Sequence, residues 1–433
     1  MRGALVLCMG RPRIIVAGGT VAITRRATLR KAFLAPWDPR VGQAWLYALA
    51  DSQRVHDVAV HHGVRCVNHH HVEVTARGDD LPAFVHRFHR DVSCAINVLL
   101  ASECYDAPRE LFDARQPHLM HLVDDRAQMR HLLYSHLNPV AAALVAKPGQ
   151  MAGRVLDFED WLRDGVVVKR PDFYFGKNRP EELVLKLSPP LRLLASFAGD
   201  LNALVYHLKR LTAEGCSAMR AARTRPVLGA ERLLRMHPWA EPKTMAAAGG
   251  ERVPSFKVGA LGEEGRDARR RCAQEVTGFR RRYHDARVAR LRGEDAAYPH
   301  GTYGPRVYQA APVEQAPTAD ALLALAGPET LAEAMYREPG DTRVERNALI
   351  DHVRDRLREE AGDLVAEEDL DFQAGEGRGC SEFDTGAERP HAETRHRFAP
   401  TRSRDDTTEH PRRLIIERDR RRALGRSTSD PPR

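Results

Sequence analysis

Apolar residues recur along the first 150 positions with two alternating periods, and their order outlines a layered fold. Ile14 to Thr24 is rich in β-branched residues and is interrupted by Gly18-Gly19, which predicts a strand ending in Thr24-Arg25-Arg26. Pro39 to His61 places Val41, Trp45, Leu46, Leu49, Val55 and Val58 at helical spacing. Val64 to Val74 reads as one short buried strand. Asp80 stands where a helix cap belongs, with Pro82 in the first turn. The stripe that follows is Leu81, Val85, Phe88, Val92, Ile96 and Leu99. Its opposite face carries His86, Arg87, His89 and Arg90, and the His86/His89 pair is expected at the surface. A strand near His118 to Val123 and a helix from Asp125, with Met129, Leu132, Leu133 and Leu137 inward, complete the series. Strands and helices in this order predict an α+β domain, an antiparallel sheet flanked by helices.

Past residue 150 the pattern changes. Residues 151–310 read as a basic, mainly helical accessory domain. Its most basic helix is expected over Arg266 to Arg292, with Arg269-Arg270-Arg271 and Arg280-Arg281-Arg282 exposed and Val276, Phe279, Tyr283 and Leu291 as the apolar side. Residues 311–433 form a C-terminal extension: one mixed-charge helix over Arg343 to Val365, then a disordered tail from Phe372, where core residues are few. No internal repeat is present.

Composition narrows the classes. A chain of 433 residues, 42% hydrophobic, can bury a substantial core. Its net charge of +8, carried mostly by arginine, points to an anionic partner met through planar, bidentate contacts. Seven cysteines lie scattered without paired spacing, which argues against a disulfide framework or zinc ribbon and fits a reducing cytoplasm. No apolar run is long enough to span a membrane. The segment from Arg2 to Cys8 is too short for a signal core, and Leu7 before the cysteine is not small, so no lipoprotein signal is expected.

The candidate chemistry lies in Asn68-His69-His70-His71. On a strand, His69 and His71 share a face and stand roughly 7 Å apart, where two imidazoles can grip one divalent metal. Val72 and Val74 occupy the other face, so the histidine face is expected to be free for chemistry. Three solvated histidines at a strand end are the plainer alternative. The second motif is Leu133-Tyr134-Ser135-His136-Leu137-Asn138-Pro139-Val140. Asn138 shares a face with Tyr134 if the helix is continuous. Pro139 disfavours helix at Asn138, so Asn138 can equally cap a new helix. His136 reads as a structural hydrogen-bonding residue.

The two motifs together resemble the IS200-like single-tyrosine transposases, within the branch that includes the REP-associated tyrosine transposases. Gly10-Arg11-Pro12-Arg13-Ile14-Ile15-Val16 and Val21-Ala22-Ile23-Thr24-Arg25-Arg26 also fit that family's first strand. The resemblance covers roughly residues 9–150, and residues 151–310 look similar to the extension of some long members. It implies a ferredoxin-like HUH-type catalytic domain over 9–150. It further implies Tyr134 as nucleophile, and His69, His71 and Asn138 as ligands of Mg²⁺ or Mn²⁺. The expected activity is cleavage and rejoining of single-stranded or hairpin DNA through a 5′-phosphotyrosine. Members act as monomers or as homodimers. Arg25 and Arg26 at the strand end, and Arg87 and Arg90 on the helix face, are the candidate DNA contacts. Two departures stand out: His70 replaces an apolar residue between the paired histidines, and Glu103 to Pro117 lacks the family's glycine-rich aromatic stretch. A domesticated, non-catalytic DNA-binding protein is the other reading.

Overall fold

The computed structural model describes residues 12–114, 116–152, 156–240 and 254–315. Gly18, in the left-handed region at φ +73°, turns the chain into β1 (Thr20–Arg26). α1 (Pro39–Val55) follows, capped by the Asp38 side chain accepting from Arg40 N. β2 (Val58–Arg65) and β3 (His69–Ala76) form an antiparallel hairpin. α2 (Leu81–Ser102), β4 (His118–Leu122) and α3 (Asp125–Ala141) come next. The strands run β2-β3-β1-β4 across the sheet, each antiparallel to its neighbours. Two split β-α-β units therefore interleave, which is the ferredoxin-like arrangement. Trp45 and Tyr47 of α1 and Phe84, Phe88, Ile96 and Leu99 of α2 are fully buried in the main core.

The later elements are β5 (Val166–Lys169), β6 (Glu182–Leu185), α4 (Leu191–Ala195), α5 (Leu201–Ala222), α6 (Ala230–Leu234), β7 (Phe256–Lys257), α7 (Gly262–Leu291) and α8 (Gly304–Gln309). The β5–β6 hairpin packs on α1, and α5 packs on α3. Leu185, Leu208 and Leu211 belong to the same apolar core as β1 to α3. The boundary expected at residue 150 is thus no break in the core, and this segment contributes strands as well as helices. α7 lies where the basic helix is expected, with Phe279 and Tyr283 buried and Leu291 exposed.

Several expectations need correction. The first helix stops at Val55, not His61. Val58 and Val60 alternate on β2 up to a bulge before His62, and the spacing of three from Val55 to Val58 fits a helix although the chain has already left it. Val64 to Val74 is two strands rather than one: the chain reverses over Cys66-Val67-Asn68, where Cys66 N donates to His69 O at 2.9 Å. The Asp80 side chain makes no capping bond, so α2 relies on Pro82 in its first turn. The sheet is not purely antiparallel, because β7 pairs parallel to β4 and makes a fifth strand. The helix expected at Arg343 to Val365 and the tail lie outside the described residues. Among those described, no helix is long and apolar enough to cross a membrane, and Cys66, Cys94, Cys104, Cys216 and Cys272 are free.

Candidate active site

Alternation along β3 sorts its side chains onto two faces. His70 turns toward α1 and α2, where its ring meets Trp45, Phe88 and His89. His69 and His71 turn the other way and lie edge to face, ring centroids 5.0 Å apart. α3 covers that face and brings the Tyr134 ring to 5.5 Å from His71. The face expected to be free is therefore roofed: His69 and His71 are each 3% exposed, Tyr134 5% and Asn138 2%.

α3 runs unbroken through Pro139 to Ala141. The proline offers no N–H to the Ser135 carbonyl, so one ladder bond is lost, and the helix ends two residues later. Asn138 is thus no cap. It sits one turn after Tyr134, with Nδ2 3.5 Å from the phenol oxygen. The buried Cys66 thiol, in the hairpin turn, lies 3.1 Å from Asn138 Oδ1. Burial pushes that thiol up to about 12, so it stays protonated and donates to the amide.

Both site imidazoles are oriented through Nδ1. His69 Nδ1 bonds Asn68 Oδ1 at 2.8 Å, and His71 Nδ1 bonds Thr24 Oγ1 at 2.9 Å. Nε2 of His71 is buried without a partner among the described residues. Burial, and then the charge of Arg26, pushes His69 down to about 3, partly offset by a hydrogen bond with Asn138. Burial likewise holds His71 well below the ordinary histidine range, with the neighbouring His69 and His131 adding to the effect. His69 Nδ1 donates to the Asn68 oxygen and so presents an Nε2 lone pair, and His71 does the same when its Nδ1 donates to Thr24, the form that binds metals. No three His, Cys, Asp or Glu side chains gather at metal-binding spacing among the described residues. A divalent ion here would accordingly rest on two imidazoles and the Asn138 amide, and that donor set fits.

The other predicted residues separate. Arg25 and Arg26 pair in the sheet register with His70 and His69 respectively. Arg26 shares the His69 face, whereas Arg25 stacks 5.5 Å over Phe112 beside His70. Arg87 and Arg90 lie on α2, across the sheet from Tyr134, and bind buried carboxylates. Arg87 meets Asp51 at 2.5 Å and Arg90 meets Asp91 at 2.9 Å. Arg179 joins both carboxylates, fastening the β5–β6 connection to α1 and α2. His89 is 7% exposed rather than a surface residue, because it stands one turn after Val85 at the edge of the apolar stripe. His136 is buried against Phe158, ring centroids 4.6 Å apart, but its Nδ1 has no hydrogen-bond partner among the described residues, so it packs there rather than bonding as expected.

His70, the departure between the paired histidines, is fully satisfied. Trp45 Nε1 can only donate, so His70 Nδ1 accepts from it at 3.2 Å. The His70 proton is then on Nε2 and is donated to His89 Nε2 at 3.0 Å.

The sequence did not single out Thr24, Cys66, Glu73, His131 or Ser135. Glu73 carried a signal, a charge at a position where the strand alternates onto a covered face. Its carboxylate is 0% exposed and accepts from His131 Nδ1 at 2.7 Å and Ser135 Oγ at 2.9 Å.

No family model matches the chain, and no curated protein matches it. Among solved structures it is similar to a REP-associated tyrosine transposase bound to a REP hairpin. The identity is 15% over 40% of this chain and 94% of that one, with a TM-score of 0.29. At that score the likeness fixes neither fold nor function.

Proposed function

We propose that this chain is a metal-dependent DNA strand transferase that cleaves and rejoins single-stranded DNA through Tyr134. What supports this most is the convergence of His69, His71, Tyr134 and Asn138 beneath α3, with His71 Nε2 buried and without a partner among the described residues. Mg²⁺ or Mn²⁺ held by His69, His71 and Asn138 would supply Lewis-acid polarisation of a phosphodiester. The Tyr134 oxygen forms a bond to phosphorus while the bond from phosphorus to the 3′ oxygen breaks. The phenol proton ends on that oxygen. The products are a 5′-phosphotyrosine and a free 3′-hydroxyl, and the reverse step rejoins the strand without a nucleotide cofactor. Asn138 holds the phenol toward His71, and Arg26 adds positive charge on the same face.

The substrate we assign is single-stranded or hairpin DNA. A flexible single strand enters a roofed site more readily than a duplex, and the charge of +8 favours a polyanion. Action in the cytoplasm, as monomer or homodimer, belongs to this reading. The closure of the site favours a second reading, a DNA-binding protein that no longer cleaves, since DNA reaches Tyr134 only if α3 or its cover moves.

One experiment separates them. The full chain is incubated with labelled hairpin oligonucleotide and Mn²⁺, then run on a denaturing gel. The wild type is expected to give a covalent protein–DNA band, and Tyr134→Phe to lose it entirely while keeping DNA affinity within a few-fold. Salt-sensitive binding with no adduct in the wild type establishes the second reading. An adduct that persists in Tyr134→Phe shows that another residue is the nucleophile.

A further inference from the structure

Ten consecutive residues of α3, His131 to Val140, are buried. A helix covered on every side has no apolar stripe to fix its rotation, because each azimuth buries similar area. Something directional must set which side chains of α3 face β3. Glu73 is placed to do so. It lies two residues beyond His71 on the same face of β3, and its carboxylate is fully buried. An unpaired carboxylate in such a place would be strongly destabilising. Its two partners, His131 and Ser135, stand one turn apart on α3 and flank Tyr134. The His131 ring also lies 5.5 Å from Tyr134 and 6.2 Å from His71, so this contact borders the candidate active site.

We propose that Glu73 is a positioning residue for Tyr134: its two bonds to α3 set the rotation and register of the tyrosine helix over the histidine strand. The inference rests on the strand-transferase reading for its consequence in rate, though not for the placement of the ring. Two hydrogen bonds a turn apart fix both the slide and the roll of a helix, which one bond cannot. A displacement of about 1 Å at a nucleophile can cost roughly a hundredfold in rate. Buried polar groups that select one register among packed alternatives have precedent as a device.

The test uses the full chain. Glu73→Leu combined with His131→Leu and Ser135→Ala removes the clamp without leaving buried partners unpaired. Glu73→Gln keeps an oxygen that accepts from both. At saturating DNA and Mn²⁺, the triple variant is expected to form adduct about a hundredfold more slowly, with DNA affinity within a few-fold. Glu73→Gln is expected to restore most of the rate. Ser135→Ala, which deletes one contact only, serves if the triple variant does not fold, with an intermediate loss expected. Fluorine NMR of 3-fluorotyrosine at position 134 reads the ring directly. One narrow resonance is expected in wild type and Glu73→Gln, and a shifted or split one in the clamp variants. Wild-type rate and spectrum in a folded clamp variant would overturn the proposal, as would a Glu73→Gln defect as large as the triple variant's. If the wild type forms no adduct, the strand-transferase reading fails by itself, and the fluorine spectra still decide the role of Glu73.

Discussion

His70 shows how a residue that looks wrong in sequence is accommodated in three dimensions. Its two ring nitrogens have one donor and one acceptor, Trp45 and His89, each from a different helix. Burial and the neighbouring His89 hold His70 well below the ordinary histidine range, so the neutral tautomer is fixed. His70→Ala should leave Trp45 Nε1 and His89 Nε2 unpaired and cost about 2–6 kcal/mol, at roughly 1–3 kcal/mol per buried unsatisfied group. Replacing His70 by Val and His89 by Leu together should recover part of that loss. Urea denaturation of the single and double variants checks this, and a single variant as stable as wild type would count against the assignment. The candidate-site residues were legible in sequence as two groups because short spacings bring them together: His69 to His71 on a strand, Tyr134 to Asn138 on a helix. Arg87 and Arg90 were not, since a charged helix face reads the same whether it meets solvent or a carboxylate such as Asp51 on another helix.

At the scale of elements, the stripe on α2 was readable from Leu81 to Leu99 because a long helix repeats its period many times. The β2–β3 turn was not. Cys66-Val67-Asn68 contains neither glycine nor proline, and its one turn-favouring residue, Asn68, is a weak break in the run. The continuity of α3 through Pro139 was equally hidden, because it depends on how near the proline lies to the helix end. The approach of α5 to α3 follows from Gly215, where a Cβ would stand 2.6 Å from Leu137 Cδ1. Gly215→Val should push α5 away from the tyrosine helix and destabilise by roughly 1–3 kcal/mol, the usual cost of overpacking. Thermal denaturation reads the change, and a melting temperature at or above wild type would show that Leu137 gives way without strain.

At the scale of the whole molecule, the interior holds histidines that must stay neutral. Burial pushes His61 down to about 4 and His89 to about 3, while an unfolded histidine titrates near 6.5. Between those values the unfolded chain binds more protons than the folded one, so stability rises with pH. The contribution is complete above about 6.5 and is lost as pH falls through the folded values. The melting temperature should be flat from about pH 7 to 8 and decline steadily from about 6.5 to 4. A melting temperature unchanged over that acid range would contradict it. The long-range closure of the sheet has a different kind of consequence. Asp124, the α3 cap, also accepts from Gly259 and Ala260 N–H, and only glycine fits at 259, where a Cβ would lie 2.3 Å from Ala127 N. β7 covers the outer edge of β4 just before it. A ribosome that has released residues up to about 150 therefore presents a sheet with an open edge beside a helix whose Asp124 cap lacks its two later donors. Until residue 260 emerges, that edge is a template for pairing with neighbouring nascent chains. Slow translation between β4 and β7 would lengthen the exposure, which makes the pace of synthesis, and not sequence alone, a determinant of yield.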